Sequence, residues 1–261
     1  MKLMVNHQTH YSYSDSVNSS IQYIRMTPSS NANQTVHHWA VSVPGQSIVK
    51  QDAFDNIWLT SSQREPYSQM TIMAQGIVEL NLNNQFGIES DGLNPALFLQ
   101  PTESTVCTED MQAFAHAHVP AVNHHYLMQL SEAILQYIPY VPSRTSVQTS
   151  AADAFYKREG VCQDHSHVFI AMCKYLGIPA RYVSGYLFVP QTVHLASHAW
   201  AEVFLNNAWY CFDTSNQLFA PNSHIYVAIG RDYWDVAPVR GVREKGGIES
   251  MSSIVQVLRC S

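Results

Sequence analysis

One of the five cysteines in this sequence lies where a sulfur atom would be reactive. Cys162 follows Gly160 at the start of a segment whose apolar spacing predicts a helix to about Leu176. The first turn of a helix favours an anion through its unpaired N–H groups and its dipole, and thiolate is the nucleophilic form of cysteine. Cys173 lies on the apolar face of the same helix. The sequence therefore predicts a nucleophile at Cys162 and a buried, inert thiol at Cys173.

A partner for this nucleophile is predicted on a β-hairpin. Two strand-like segments, 198–205 and 209–213, are joined through Asn206-Asn207, and asparagine tolerates the left-handed backbone of a two-residue turn. Such a turn places Leu205 opposite Ala208. His198 and Asp213 then become diagonal neighbours on one side of the hairpin, with their Cα atoms about 7–8 Å apart. An imidazole can reach a carboxylate across that distance.

These three side chains together have the residue types of a thiol-based catalytic triad. Cys162 would attack a carbonyl carbon, His198 would act as general base, and Asp213 would hold the imidazole in the correct tautomer. The backbone N–H of Cys162 is predicted to donate to the oxyanion that forms. The predicted chemistry is acyl transfer from an amide.

Composition excludes several other classes of protein. The chain has 261 residues, of which 46% are hydrophobic and only 13% charged, and its formal net charge is −6. It has no basic block, so nucleic acid is not an expected partner. It also has no apolar segment of the length that crosses a bilayer and no signal-peptide core, so we expect a cytoplasmic protein with no membrane partner. The five cysteines lack CxxC spacing, so no disulfide framework is predicted.

Two kinds of hydrophobic periodicity divide the chain. Residues 3–85 alternate with period two between turn clusters, which predicts an antiparallel β-sandwich. Residues 86–120 are rich in Gly and Pro and show little periodicity, so they are predicted to be a linker. The period becomes 3.6 beyond that point. We therefore predict an N-terminal β-sandwich domain with linker at 1–120 and a catalytic domain at 121–261.

Three sequence blocks resemble the bacterial transglutaminase-like superfamily of cysteine proteases. They begin at Gly160-Val-Cys-Gln-Asp-His, Ser197-His-Ala-Trp-Ala-Glu and Trp209-Tyr-Cys-Phe-Asp-Thr, and the resemblance extends over nearly the whole chain. It implies an α+β fold with a papain-like, transglutaminase-like core preceded by an antiparallel β-sandwich. The triad of that family matches Cys162, His198 and Asp213.

The resemblance also has implications for substrate and partners. It favours hydrolysis of a peptide or isopeptide amide bond, and members of the family occur with ATP-grasp-type ligases, which would make such a bond. One position departs from the family, because Asp55 stands where glycine usually precedes the asparagine.

Alternatives to hydrolysis stay open from the residues alone. An amine acceptor in place of water would make the protein a transglutaminase. The spacings Cys162-x2-His165 and His194-x3-His198 imitate those of zinc ligands, so a zinc-binding protein is an alternative. A non-catalytic binding protein is a third, although no triad position is replaced. The sequence lacks an EF-hand loop, and we predict neither a metal nor a cofactor.

Overall fold

The computed structural model of this chain describes residues 1–82, 88–89, 91–190, 192 and 197–260. The strands are β1 Lys2–Thr27, β2 Gln34–Ser42, β3 Gln46–Gln51, β4 Ile57–Gln63, β5 Tyr67–Leu80, β6 Ile88–Glu89, β7 Ala180–Leu187, β8 His198–Leu205, β9 Ala208–Phe212, β10 His224–Gly230, β11 Val239–Lys245 and β12 Glu249–Arg259. The α-helices are α1 Glu109–His118, α2 His124–Tyr137, α3 Ala151–Lys157, α4 Cys162–Tyr175 and α5 Tyr233–Val236. Short 3-10 helices lie at Pro95–Phe98 and Glu103–Thr105. No helix in the described ranges is both long and apolar enough to cross a membrane.

The N-terminal half of the molecule is built around one long strand, β1. The first part of β1 pairs with β12 and β5, and the part after Val17 pairs with β11 and β4. All of these pairings are antiparallel. The first part of β1 with β12 and β5 forms one set of strands, and the second part of β1 with β11 and β4 forms the other. Ile24 and Leu59 of the second set share a buried cluster with Ile72 and Ala74 of the first set. The two sets therefore pack face to face, which confirms the predicted antiparallel β-sandwich.

Two strands of this β-sandwich come from the C-terminal end of the chain. Strands β11 and β12 lie within 121–261, the range assigned to the catalytic domain, but they pair with β1. Most residues of both strands are exposed, so their local sequence does not specify a partner strand. The division at residue 120 stays a prediction for the rest of the chain.

The second sheet is antiparallel in the order β10-β7-β8-β9-β6, with α4 packed on β7 and β8. Every residue of β7 is buried, because α4 covers one face of the sheet and the β-sandwich contacts the other. Strands and helices occupy separate stretches of the chain, so the α+β fold class is confirmed.

Helix α1 lies within the segment predicted to be a linker. Its buried residues are Met111 and Ala115, which join the same core as α2 and α4. A ten-residue helix with two buried positions gives too little periodicity to be recognised in the sequence.

Asp55, which departs from the family pattern, has a left-handed backbone with φ of 61°. This conformation costs a non-glycine residue about 1 kcal/mol or more. We expect Asp55→Gly to stabilise the protein by about 0.5–1 kcal/mol, which raises the thermal unfolding midpoint by about 1–4 °C.

The matched control for this variant is Asp110→Gly in helix α1, at an exposed position with helical backbone. Glycine there should lower the midpoint, because it has poor helix propensity. Calorimetry of both variants checks the prediction, and a lower midpoint for Asp55→Gly would contradict it.

Candidate active site

The start of α4 is held by a buried carboxylate. Asp164 Oδ2 accepts hydrogen bonds from the Val161 N–H at 2.8 Å and from the Thr145 hydroxyl at 2.7 Å. A Cβ atom on Gly160 would lie 2.7 Å from the Asp164 Cβ, so this turn requires glycine. Asp164 therefore has a structural role, as its place in the first turn predicts. These contacts fix Cys162 at the first position of the helix.

The hairpin that carries the other two residues has the predicted register. Asn206 and Asn207 both have left-handed backbones, with φ of 49° and 65°. Leu205 pairs with Ala208, and the ladder continues to the last pair before Asp213. The two-residue turn is confirmed, and with it the placement of His198 near Asp213.

The structure brings Cys162, His198 and Asp213 together at one site. His198 Nε2 lies 2.8 Å from Asp213 Oδ2, and the Cys162 thiol is near enough to the same imidazole to raise the pKa of His198. Since Nε2 is bonded to the carboxylate, Nδ1 is the nitrogen that is left to exchange a proton with the sulfur. The Asp213 side chain is fully buried and that of His198 is 11% exposed. The arrangement can hold a proton between sulfur and imidazole while the carboxylate stays shielded from water.

Charge and hydrogen bonding shift the pKa values of His198 and Asp213 in opposite directions. Burial lowers the pKa of His198, but the hydrogen bonds to Asp213 and Cys162 outweigh it and raise the pKa to about 10. Burial raises the pKa of Asp213, but hydrogen bonds from His198 and His224 outweigh it and hold the pKa well below its usual range. The imidazolium and carboxylate therefore coexist at neutral pH. Their stabilising effect is lost as pH rises through about 10 or falls toward the Asp213 pKa.

Two further side chains that sequence analysis missed contact Asp213. Oδ2 accepts from Asn216 Nδ2 at 2.9 Å and from His224 Nε2 at 3.1 Å, and Oδ1 accepts from the Asn216 N–H at 3.2 Å. Asn216 follows Asp213 closely in the Asp-Thr-Ser-Asn segment, so its position in the sequence could have identified it as a neighbour of the Asp213 side chain. His224 begins β10, which lies two strands away from β8, and no local pattern indicates that neighbour.

Trp200 packs beside the triad. Its ring stacks on His198 with a centroid distance of 5.9 Å, and its side chain is fully buried. One face of the imidazole is thereby covered by an apolar surface, which excludes water from that side.

The zinc-like spacing in the sequence does not correspond to a group of free ligand atoms among the described residues. Both ring nitrogens of His165 have partners, with Nδ1 2.8 Å from Ser215 Oγ and Nε2 2.8 Å from the Ile138 carbonyl. His194 lies outside the described residues. In the described ranges, only His198, Asp213 and His224 have ligand-type atoms within 4.8 Å of one another, and hydrogen bonding to Asp213 accounts for that proximity.

The geometry predicts distinct protonation states for the histidines of this site. We expect the His198 ring to be positively charged at pH 8, because Asp213 and Cys162 raise its pKa. His165 and His224 should be neutral at pH 7, because burial lowers the pKa of each. NMR titration of isotopically labelled histidine checks this. Cys162→Ser should lower the His198 pKa, and a wild-type His198 pKa at or below about 6.5 would contradict the prediction.

Comparison with known proteins gives the family context of this site. Residues 112–214, which contain the three triad residues, match the transglutaminase-like superfamily, and residues 3–79 match the bacterial transglutaminase-like N-terminal region. An uncharacterized protein of Mycobacterium leprae is 28% identical over 99% of both chains. An uncharacterized protein of Mycobacterium tuberculosis is 29% identical over 91% of this chain and 86% of its own.

A solved structure shares the fold. The crystal structure described as a "putative cysteine protease" from Cytophaga hutchinsonii superposes with a TM-score of 0.80. The match covers 99% of this chain and 90% of the other, at 21% sequence identity. The β-sandwich and the second sheet with its packed helices therefore occur together in both proteins.

Proposed function

We propose that this chain, which belongs to the transglutaminase-like superfamily, hydrolyses a peptide or isopeptide amide bond through an acyl-enzyme on Cys162. The observation that carries the proposal is the placement of Cys162 beside the His198 imidazole, which is hydrogen bonded to Asp213. The site contains a nucleophile at a helix N-terminus, a base beside it, and a buried carboxylate behind the base.

The order of events follows from this geometry. The Cys162 thiolate attacks the carbonyl carbon, and the C–N bond of the resulting tetrahedral intermediate breaks as His198 Nδ1 gives its proton to the leaving amine. Water then attacks the thioester, His198 takes a proton from that water, and the Cys162 thiolate leaves as the carboxylic acid forms. Asp213 keeps its negative charge throughout and stabilises the imidazolium. The Cys162 N–H is not bonded within α4, because it is at the first helical position, and it is free to donate to the oxyanion.

Hydrolysis and acyl transfer differ only in what attacks the thioester. The test is incubation with a library of peptides and lysine-linked isopeptides in ¹⁸O-labelled water, with and without an added primary amine. We expect one ¹⁸O atom in each new carboxyl group, and little amine adduct. Amine adducts in place of ¹⁸O incorporation would establish a transglutaminase.

The controls for this test are two cysteine variants. Cys162→Ala should abolish product formation, and Cys173→Ala should retain it because Cys173, near the end of α4, is fully buried in the core. Products that persist in the Cys162→Ala protein, or a wild-type protein that acts on neither class of bond, would overturn the proposal.

The metal alternative makes an opposite prediction. We expect less than one equivalent of zinc per chain after purification and no loss of activity with a chelator, because the proposed mechanism needs no metal. Elemental analysis by mass spectrometry and activity after EDTA treatment check this. One tightly held zinc per chain, whose removal unfolds or inactivates the protein, would favour the zinc-binding alternative over the thiol mechanism.

The cellular setting is part of the proposal. Family resemblance supports an enzyme that acts on a peptide or isopeptide made by an ATP-grasp-type ligase, and we propose that it does so in the cytoplasm. Co-purification of a tagged Cys162→Ala protein, which retains the binding surface, tests that partnership.

A further inference from the structure

A second histidine shares the carboxylate that orients His198. The His224 side chain is fully buried, and its Nε2 lies 3.1 Å from Asp213 Oδ2. Strand β10 brings it there, because β10 pairs with β7 and β7 pairs with β8, the strand of His198. The mechanism proposed above does not use His224.

The surroundings of His224 fix the position of its proton. Nδ1 has no hydrogen-bond partner among the described residues and is buried. A positively charged ring would place an unpaired N–H there, at the cost of leaving a buried donor unsatisfied. A neutral ring with its proton on Nε2 avoids that cost and donates to Asp213. Burial also lowers the pKa of His224, against the opposing effect of Asp213.

The neighbours of His224 support this neutral state. The charged groups that face it are Asp213, His198 and Glu202. The positive charge of His198 lowers the His224 pKa, and its ring lies 6.1 Å away. The indole of Trp200 packs against the ring at 4.7 Å and adds no acceptor for Nδ1.

Asp213 is a buried carboxylate whose neighbour His198 loses and regains a proton during the reaction, so it needs a second hydrogen-bond donor that does not change. His198 is an imidazolium at rest and becomes neutral after it protonates the leaving group, so its hydrogen bond to Asp213 weakens in mid-cycle. Asp213 has no contact with water, and an under-bonded buried carboxylate is costly. Asn216 and His224 both donate to Oδ2, and neither has to change its charge.

We propose that His224 is a positioning residue that acts through Asp213: its fixed Nε2–H holds Oδ2 toward His198 throughout the reaction. This inference rests on the proposed function, since it assigns a purpose to His224 only if His198 is the base for Cys162. It predicts that the reactivity of Cys162 depends on the hydrogen-bond donor at His224 Nε2. The rest of the imidazole serves to fill the pocket.

The test measures the alkylation of Cys162 by iodoacetamide at pH 6, where the thiolate depends on a correctly placed imidazolium. His224→Leu keeps the volume and removes the donor, and we expect alkylation about 10–100 times slower, by analogy with the loss of a group that orients a metal ligand. His224→Gln places an amide N–H near the former Nε2, so its rate should stay within about threefold of wild type.

A double-mutant cycle separates positioning from a general structural effect. In an Asp213→Asn background, His224→Leu should cause no further slowing, because the group through which His224 acts is already lost. His167→Leu is the matched control. His167 is also a fully buried histidine, bonded to the Tyr233 N–H outside the triad, and its loss should leave the alkylation rate unchanged in protein that remains folded.

A second measurement does not depend on whether His224→Leu folds. Nitrogen-15 NMR of the wild-type protein at pH 7 should show His224 neutral, with a slowly exchanging proton on Nε2. A charged ring, or a proton on Nδ1, would overturn the inference.

The outcomes distinguish this inference from the proposed function. A wild-type protein in which Cys162 is no more reactive than the buried cysteines would remove the proposed function. A reactive wild-type Cys162 with an equally or more reactive His224→Leu variant would overturn the role of His224 alone. Equal slowing in both backgrounds would also overturn it, because that pattern belongs to a structural residue.

Discussion

Iodoacetamide at pH 7 is expected to modify Cys162 at least about a hundred times faster than Cys173 or Cys211, because only Cys162 combines a helix N-terminus with an imidazolium. Cys173 and Cys211 lie in the core, and burial raises the pKa of each thiol. Peptide mapping by mass spectrometry, with isotopically light and heavy reagent at successive times, gives the rate at each cysteine.

The most informative comparison within this experiment is with Cys107. That thiol is only partly buried, so reagent has access, yet burial raises its pKa to about 11. It should react far more slowly than Cys162 at pH 7, since little of it is thiolate. In denaturant all five cysteines should react at similar rates. Equal labelling of Cys162 and Cys173 in the folded protein would remove the basis for assigning the nucleophile.

The parts of this site that sequence could predict are those set by local rules. The reactive position of Cys162 follows from a helix start, which glycine and apolar spacing identify. The contact between His198 and Asp213 follows from one turn, because a two-residue hairpin fixes the register of both strands. A period-two pattern also identified the β-sandwich, since its strands bury alternate residues.

The parts that sequence could not predict depend on contacts between distant segments. The pairing of β12 with β1 is decided by which surfaces can be buried together across the whole chain. His224 approaches Asp213 through the order β10-β7-β8, which no spacing in the sequence encodes. Helix α1 is stabilised by its contacts with α2 and α4, and its own pattern is weak.

Asp213→Asn is expected to reduce turnover by a large factor, up to about 10⁴ by analogy with serine triads. An amide at this position can donate to His198 Nε2, which moves the ring proton to Nδ1 and removes the base that faces Cys162. The factor is smaller than in a serine enzyme to the extent that the thiolate–imidazolium pair already exists at rest. Steady-state kinetics on a substrate found in the peptide library measures the factor. Circular dichroism confirms that the fold is retained.

The same substitution should lower the His198 pKa, because it removes the negative charge that favours the protonated ring. The wild-type imidazolium persists until pH rises through about 10. Loss of the carboxylate therefore lowers the upper limit of the pH range in which the thiolate–imidazolium ion pair exists. The pH profile of Cys162 alkylation reports this shift without any substrate: the variant should react more slowly than wild type between pH 6 and 8. A matched variant is Asn216→Ala, which removes the side-chain donor to Asp213 Oδ2 but keeps the backbone N–H that donates to Oδ1 and the negative charge of Asp213. It should leave most of the pH range of the ion pair unchanged. If Asp213→Asn leaves both turnover and the alkylation profile unchanged, His198 must be oriented by another group. The 2.8 Å contact would then be a structural hydrogen bond of the hairpin, outside the catalytic machinery.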